Sequence, residues 1–373
     1  MKTNQLILAV AALVVLASCT KSNVDPVNTA KTEGDEIGFN AVTQKATKAN
    51  GDTNNQIITG NTYDDTNTFR IWGWQSAKDG NSGDNIAFSD ISNNAESNFM
   101  TDLKIEWTTG RDANRAGGAA WRNAENYYYW PFTGKLSFLA IHPYEVTATP
   151  TWNGTNKKPQ VSIANYTIRK DDSTTEVNED NSTTDLMFAT NEGTRAANGS
   201  SPLNMVFKHA LSQIEFQVKT NEDYSADVAF DVESITIHNI DLSGDVAYAN
   251  NSITWTNNQA QEESWTYYNT VLEDITDTYQ IYGAAQLMIP QQESVHDQPS
   301  TEAIIEGTYL TIRYSMEQTG SDKITGSVNI AKPQEWEAGK KYNYTINFKL
   351  NEILFNPQVT DWVDVDVTTI NIY

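Results

Sequence analysis

The sequence predicts an all-β protein built of β-sandwiches behind an N-terminal export signal. Three observations predict it. Apolar and polar residues alternate with period two in many short segments, the pattern of half-buried antiparallel strands. Aromatic residues are plentiful (10 Trp, 17 Tyr and 12 Phe) on a Thr- and Asn-rich background, and aromatic and β-branched residues suit a pleated surface. Helical periodicity is scarce: residues 90–104 have room for a turn or two, and KHALSQ (208–213) for one more.

The chain opens with MKTNQLILAVAALVVLASC. Leu6 to Ala17 is an apolar run behind Lys2, too short for a membrane-spanning helix of about 20 residues. It fits the apolar region of a secretory signal, with small Ala17 and Ser18 before the cleavage point. Residues 1–18 are therefore expected to be a signal peptide. Cys19 is the only cysteine, so an exported chain has no internal disulfide. Leu-Ala-Ser-Cys resembles the bacterial lipobox, which would make Cys19 the lipidated first residue of the mature chain. The competing reading is an ordinary signal with an incidental cysteine. Residues 19–35 are polar and aperiodic, as in a flexible tether.

The first strand is expected at EIGFNAV (36–42), with Ile37, Phe39 and Ala41 on one face. A polar loop, QKATKANGDTNNQ, follows and carries Lys45 and Lys48. FRIWGW (69–74) sets Phe69 and Ile71 against Trp72 and Trp74. KLSFLAI (135–141) has Leu136, Phe138 and Ala140 on one face and Leu139 and Ile141 on the other, so it reads as a central strand. Four more strands alternate clearly. QIEFQVK turns Ile214, Phe216 and Val218 inward, and SITIHNI turns Ile235 and Ile237 inward. YLTIRYS does so with Leu310, Ile312 and Tyr314, and KYNYTINFKL with Tyr342, Tyr344, Ile346, Phe348 and Leu350. Many short strands with polar connections predict sandwiches rather than a parallel sheet. Residues 75–126 and 169–184 read as long loops. The weakest hydrophobic pattern, NEGTRAANGSSP (191–202), marks the expected boundary between domains at 36–197 and 198–373.

Charge and motifs narrow the function. With 48 acidic against 25 basic side chains the formal charge is −23, which repels nucleic acid. There is no P-loop, G-x-S-x-G, H-E-x-x-H or G-x-G-x-x-G. His142, His209, His238 and His296 lie far apart in sequence, each with a structural or surface role expected. KDGNSGDN (78–85) and DDSTTEVNED (171–180) hold oxygen ligands but do not match a calcium loop. No catalytic residue, metal or cofactor is expected. Trp72, Trp74, Trp107, Trp121 and Trp130 crowd the first half. Exposed, they could stack on sugars, which would suit a monomeric surface glycan-binding lipoprotein. Burial is the favoured reading for Trp72 and Trp74, because exposed apolar patches are uncommon without a partner, and Trp130 reads as core. A glycosidase ranks third, since it needs two buried carboxylates at fixed separation.

Several segments converge on one family. YYYWPFTGKLSFLAIHP (127–143), DLMFAT (185–190), LNMVFKHALSQIEFQV (203–218), QLMIPQ (286–291) and EWEAGKKYNYTINFKL (335–350), followed by VTDW (359–362), occur in that order. Together they resemble the fimbrillin-like lipoproteins, the subunits and accessory proteins of type V pili. The resemblance implies two transthyretin-like β-sandwich domains in tandem and export as an outer-membrane lipoprotein. It implies other pilus subunits as partners, with the outer membrane reached through the lipid and host or bacterial surface ligands as further contacts. It also implies a trypsin-like cut behind the first strand, which removes that strand and opens a groove for a strand from a neighbour. The family's cut usually follows arginine. Here the first arginine, Arg70, lies in an expected strand, so Lys45 and Lys48 are the candidates. Ile37 and Phe39 mark the removable strand. Residues 359–373 offer Val363, Val365, Val367, Ile370 and Ile372 as a donor strand, or equally as the closing strand of the second sandwich.

Overall fold

The computed structural model describes residues 36–43, 68–76, 88, 91–108, 120–168, 185–224, 228–257, 263–268, 270–291, 308–318, 320–331, 335–349 and 352–361. In chain order the strands are β1 (Phe39–Thr43), β2 (Phe69–Gln75), β3 (Met100–Thr108), β4 (Ala120–Arg122), β5 (Leu136–His142), β6 (Thr151–Asn153) and β7 (Lys158–Thr167). Then come β8 (Met187–Gly193), the short helix α1 (Arg195–Asn198), β9 (Leu203–His209), β10 (Ser212–Thr220), β11 (Val228–Ile240), β12 (Ser243–Ala249) and β13 (Ser252–Asn257). The last are β14 (Glu263–Tyr268), β15 (Gln280–Met288), β16 (Tyr309–Gln318), β17 (Ile324–Ala331), β18 (Lys340–Lys349) and β19 (Glu352–Asp361). The fold is all-β.

Seven strands close a barrel in the order β1-β4-β3-β2-β5-β8-β9, and the parallel pair β9–β1 completes the ring. Alternation fills its interior with Phe39, Phe69, Ile71, Trp121, Phe138, Met205 and Phe207, all buried. The opposite faces of β2, β5 and β8 are buried too. Trp72, Trp74, Leu139, Ile141 and Phe188 belong to a second core, shared with Trp152 and with Tyr248 of β12. All seven residues of β5 are buried, as its two apolar faces require of a strand covered on both sides.

The second core continues into a sandwich. One sheet runs β15-β10-β18-β19 and the other β14-β11-β16-β17. Their inner faces meet through Phe216 against Tyr267 at 4.7 Å and Phe230 against Phe348 at 6.1 Å. Ile214, Phe216, Val218, Ile235, Ile237, Leu310, Ile312, Tyr342, Tyr344, Ile346 and Phe348 are inward and buried, as their alternation predicts. Leu350 lies outside the described residues. A third sheet, β13-β12-β7-β6, joins strands from both halves of the chain. Residues 191–202 hold the end of β8, then α1, and lead into β9; both flanking strands belong to the barrel.

Three local expectations fail. Residues 75–126 are not one loop, because they contain β3 and β4. Residues 90–104 are not helical where they enter β3, whose Met100 and Ile105 fill the barrel beside β2. KHALSQ is a strand end, a two-residue link and a strand start. Ala210 donates its N–H to the Leu186 carbonyl (2.7 Å), and the Leu211 carbonyl accepts from the Gly339 N–H (2.9 Å). Long-range backbone hydrogen bonds thus replace the local ones a helical turn would make.

Candidate functional site

The first strand is the feature with functional geometry. β1 runs parallel to β9 with Phe39–Thr43 in register with Leu203–Phe207. On its other side it touches β4 at one pair, Phe39 opposite Trp121. The segment just before it extends the attachment. Glu36 bridges Tyr129, the Ile37 N–H donates to the Tyr128 carbonyl (2.8 Å), and the Gly38 carbonyl accepts from the Leu203 N–H (2.8 Å). Ile37, Phe39 and Ala41 are 2%, 0% and 3% exposed. The Phe39 ring stands edge-on to Phe138 at 5.2 Å and to Phe69 at 6.4 Å. Burying side chains of the size of Ile37 and Phe39 stabilises by about 1.5–3 kcal/mol each. Without β1, the barrel would be an open sheet with β4 and β9 as edges and an apolar slot between them.

The outer side of β1 carries Asn40 and Val42. The Asn40 amide donates to the Asn204 side-chain carbonyl (3.0 Å). Glu36 forms an ion pair with Arg122 of β4 at 3.9 Å, and the two side chains are 9% and 4% exposed. Sequence reading finds Ile37 and Phe39 but misses the walls of the slot. β9 is legible in the alternation of Leu203, Met205 and Phe207 with Asn204, Val206 and Lys208. β4 has only three residues, too few for a period, and Arg122 carries no local signal of burial.

Cys19, Lys45, Lys48, Val363, Val365, Val367, Ile370 and Ile372 all lie outside the described residues. Val359–Asp361 pair with Lys340–Tyr342 as the end of β19. Arg70 lies in β2, with its guanidinium held by Asp102 and by the Tyr144 carbonyl.

The other candidates resolve into structural roles. His142 Nδ1 lies 3.1 Å from the Thr68 carbonyl. His209 pairs with buried Asp185. His238 stacks on Tyr309 at 4.5 Å and hydrogen-bonds Ser264 and Thr311, and burial lowers its pKa. His296, KDGNSGDN and DDSTTEVNED lie outside the described residues. Among the described residues no three His, Cys, Asp or Glu side chains are grouped to hold a metal ion. Trp72, Trp74, Trp121 and Trp130 are buried, and Trp107 packs partly buried against the barrel core.

The model of the fimbrillin-like family matches residues 57–362, well over half of the chain. The chain belongs to the fimbrillin-like family. This fimbrillin-like chain has the fold of a fimbrial protein from Bacteroides vulgatus, with 16% identity over 88% of this chain and 100% of that one and a TM-score of 0.58. A candidate cell adhesion protein from Bacteroides uniformis also matches, with 17% identity, 88% and 98% covered, and a TM-score of 0.42. So does the tip fimbrial protein Mfa3 from Porphyromonas gingivalis with C-terminal truncation, with 12% identity, 80% and 95% covered, and a TM-score of 0.33. No curated protein matches the sequence. Fimbrillin-like membership supports a fimbrial subunit at the cell surface, associated with other pilus subunits. Among the described residues no helix is long and apolar enough to cross a membrane.

Proposed function

We propose that this fimbrillin-like protein is a structural and adhesive pilus subunit, exported as a lipoprotein precursor and assembled by β-strand exchange. The observation that carries the proposal is β1. It is a short strand that, together with Ile37 just before it, fills a slot in a closed barrel through Phe39 and Ala41. Cys19 holds the precursor in the outer membrane through its lipid. A trypsin-like protease cuts at Lys45 or Lys48, just after the last residue of β1. Arg70 is a poor alternative, since it lies within β2, a paired strand of the barrel, and its guanidinium is occupied. The cut frees β1 from the rest of the chain, and an extended, alternating strand takes its place. Val363, Val365, Val367, Ile370 and Ile372 of a neighbour supply that strand. The exchange is non-covalent: main-chain hydrogen bonds give affinity and alternate side-chain slots give specificity. A glycan-binding monomer is less well supported, because Trp72, Trp74, Trp121 and Trp130 serve the core.

N-terminal sequencing of protein shed from the cell surface tests the processing step. A start at Ala46 or Ala49 is expected. A start only at Cys19 refutes it and leaves a permanently anchored protein.

A further inference from the structure

Phe132 is the most exposed large apolar side chain among the described residues, at 84%. It is held in place from two sides. Trp130, two residues earlier, is buried edge-on to Phe138 of the barrel at 6.0 Å. The Arg195 guanidinium of α1 lies over the Phe132 ring at 4.2 Å. Aromatic and arginine side chains fixed in this way are typical anchors of protein interfaces. Register places the pair at one end of the slot. Phe39 of β1 is level with Leu203, the first residue of β9. β8 runs antiparallel to β9 and ends at Gly193, which pairs with Leu136, the first residue of β5. Phe132 comes just before Leu136 and Arg195 just after Gly193. Both therefore stand at the end of the barrel where β1 begins, the end of the Glu36–Tyr129 bridge.

A strand that takes over the backbone hydrogen bonds of β1 runs parallel to β9, as β1 does, and so comes in from this same end. The length of chain behind β19 then limits where the owner of that strand sits. Residues 362–373, twelve in all, follow Asp361. Filling the places of residues 37–43 takes seven of them and leaves five as a link. The owner's Asp361 is thus within about 20 Å of the Ile37 place. Asp361 is level with Lys340, the first residue of β18, and exposed Glu335 and Glu337 come just before it. The end of the second copy nearest the slot is therefore acidic, where the barrel presents Arg195. Resting on the strand-exchange reading above, we propose that Phe132 and Arg195 seat the body of the second copy whose strand fills the slot, at the end of its sandwich formed by residues 335–340 and 361.

The test puts a photo-crosslinker at the anchor. In the full chain p-benzoylphenylalanine replaces Phe132, and the native surface fraction is irradiated, boiled and run in detergent. The exposed position keeps the change away from the barrel core. A seated neighbour predicts a dimer that survives boiling, in which mass spectrometry finds position 132 joined to residues 335–349 or 352–361 of the second copy. Arg195→Glu in the same chain should lower the yield of that dimer at least about twofold. Adding Glu335→Lys and Glu337→Lys should restore it. Collapse of the irradiated ladder to monomer alone, a crosslink to any other part of the second copy, or a yield unmoved by Arg195→Glu overturns the seat and leaves strand exchange standing. Absence of a ladder before irradiation overturns strand exchange itself, and this inference with it.

Discussion

Replacing Phe39 with alanine should loosen β1 without unfolding the barrel. Phe39 is fully buried, its ring stands edge-on to Phe69 and Phe138, and Trp121 lies opposite it in the register with β4. Removing a ring from such a site costs the transfer energy of the lost atoms plus a cavity term, together about 3–5 kcal/mol. If the slot relaxes little, about 4 kcal/mol is lost, which is roughly a thousandfold in an equilibrium constant. The loss should fall on the local opening of β1, since the other six barrel strands pair without it. Amide exchange read by mass spectrometry is the assay. Peptides covering 37–43 and 203–207 should exchange roughly a thousandfold faster in Phe39→Ala, while β5 stays protected. Asn40→Ala, on the outer side of the same strand, should change exchange by less than about tenfold. An effect of Phe39→Ala no larger than that of Asn40→Ala would refute the claim that the ring anchors β1.

Two further predictions concern packing and titration. Gly193→Ala should destabilise by at least about 2 kcal/mol in urea unfolding, because its Cβ would lie 2.4 Å from Trp130 Cη2 and 2.8 Å from Asn198 Oδ1. Alkali should destabilise through buried tyrosines. Burial pushes the Tyr342 hydroxyl up to about 12 from 10.0, and burial likewise raises Tyr166 and Tyr267. A raised folded-state pKa means this contribution is complete below pH 10.0 and is lost as pH rises through about 12. The urea midpoint should fall across that window, and less steeply in Tyr342→Phe.

Much of the fold is legible because its signal is local. A strand with one wet face must alternate, so β10 and β18 can be read residue by residue, and β16 as far as Ile312; beyond it the phase slips, leaving the expected inward Tyr314 only partly buried and Ser315 fully buried. The two apolar faces of KLSFLAI reveal a strand covered on both sides, and the covering layer is the second core around Trp74 and Trp152. Burial of Trp72 and Trp74 follows from the same logic. What stays illegible is long-range. β4 is three residues within a polar stretch and is defined by its neighbours β3 and β1 rather than by its own sequence. The link at Ala210–Leu211 looks helical until its hydrogen bonds to Leu186 and Gly339 are seen. At the site, Ile37 and Phe39 announce an apolar face. That the face fits between β4 and β9, and that Arg122 waits beside Glu36, depends on chain pairing across about 80 to 170 residues, which no local pattern encodes.

Strand exchange between subunits is tested most directly by electrophoresis of the native surface fraction in detergent, with and without boiling. Subunits joined by inserted strands should run unboiled as a ladder of oligomers and collapse to one monomer band on boiling. A single monomer band under both conditions would contradict assembly by strand exchange.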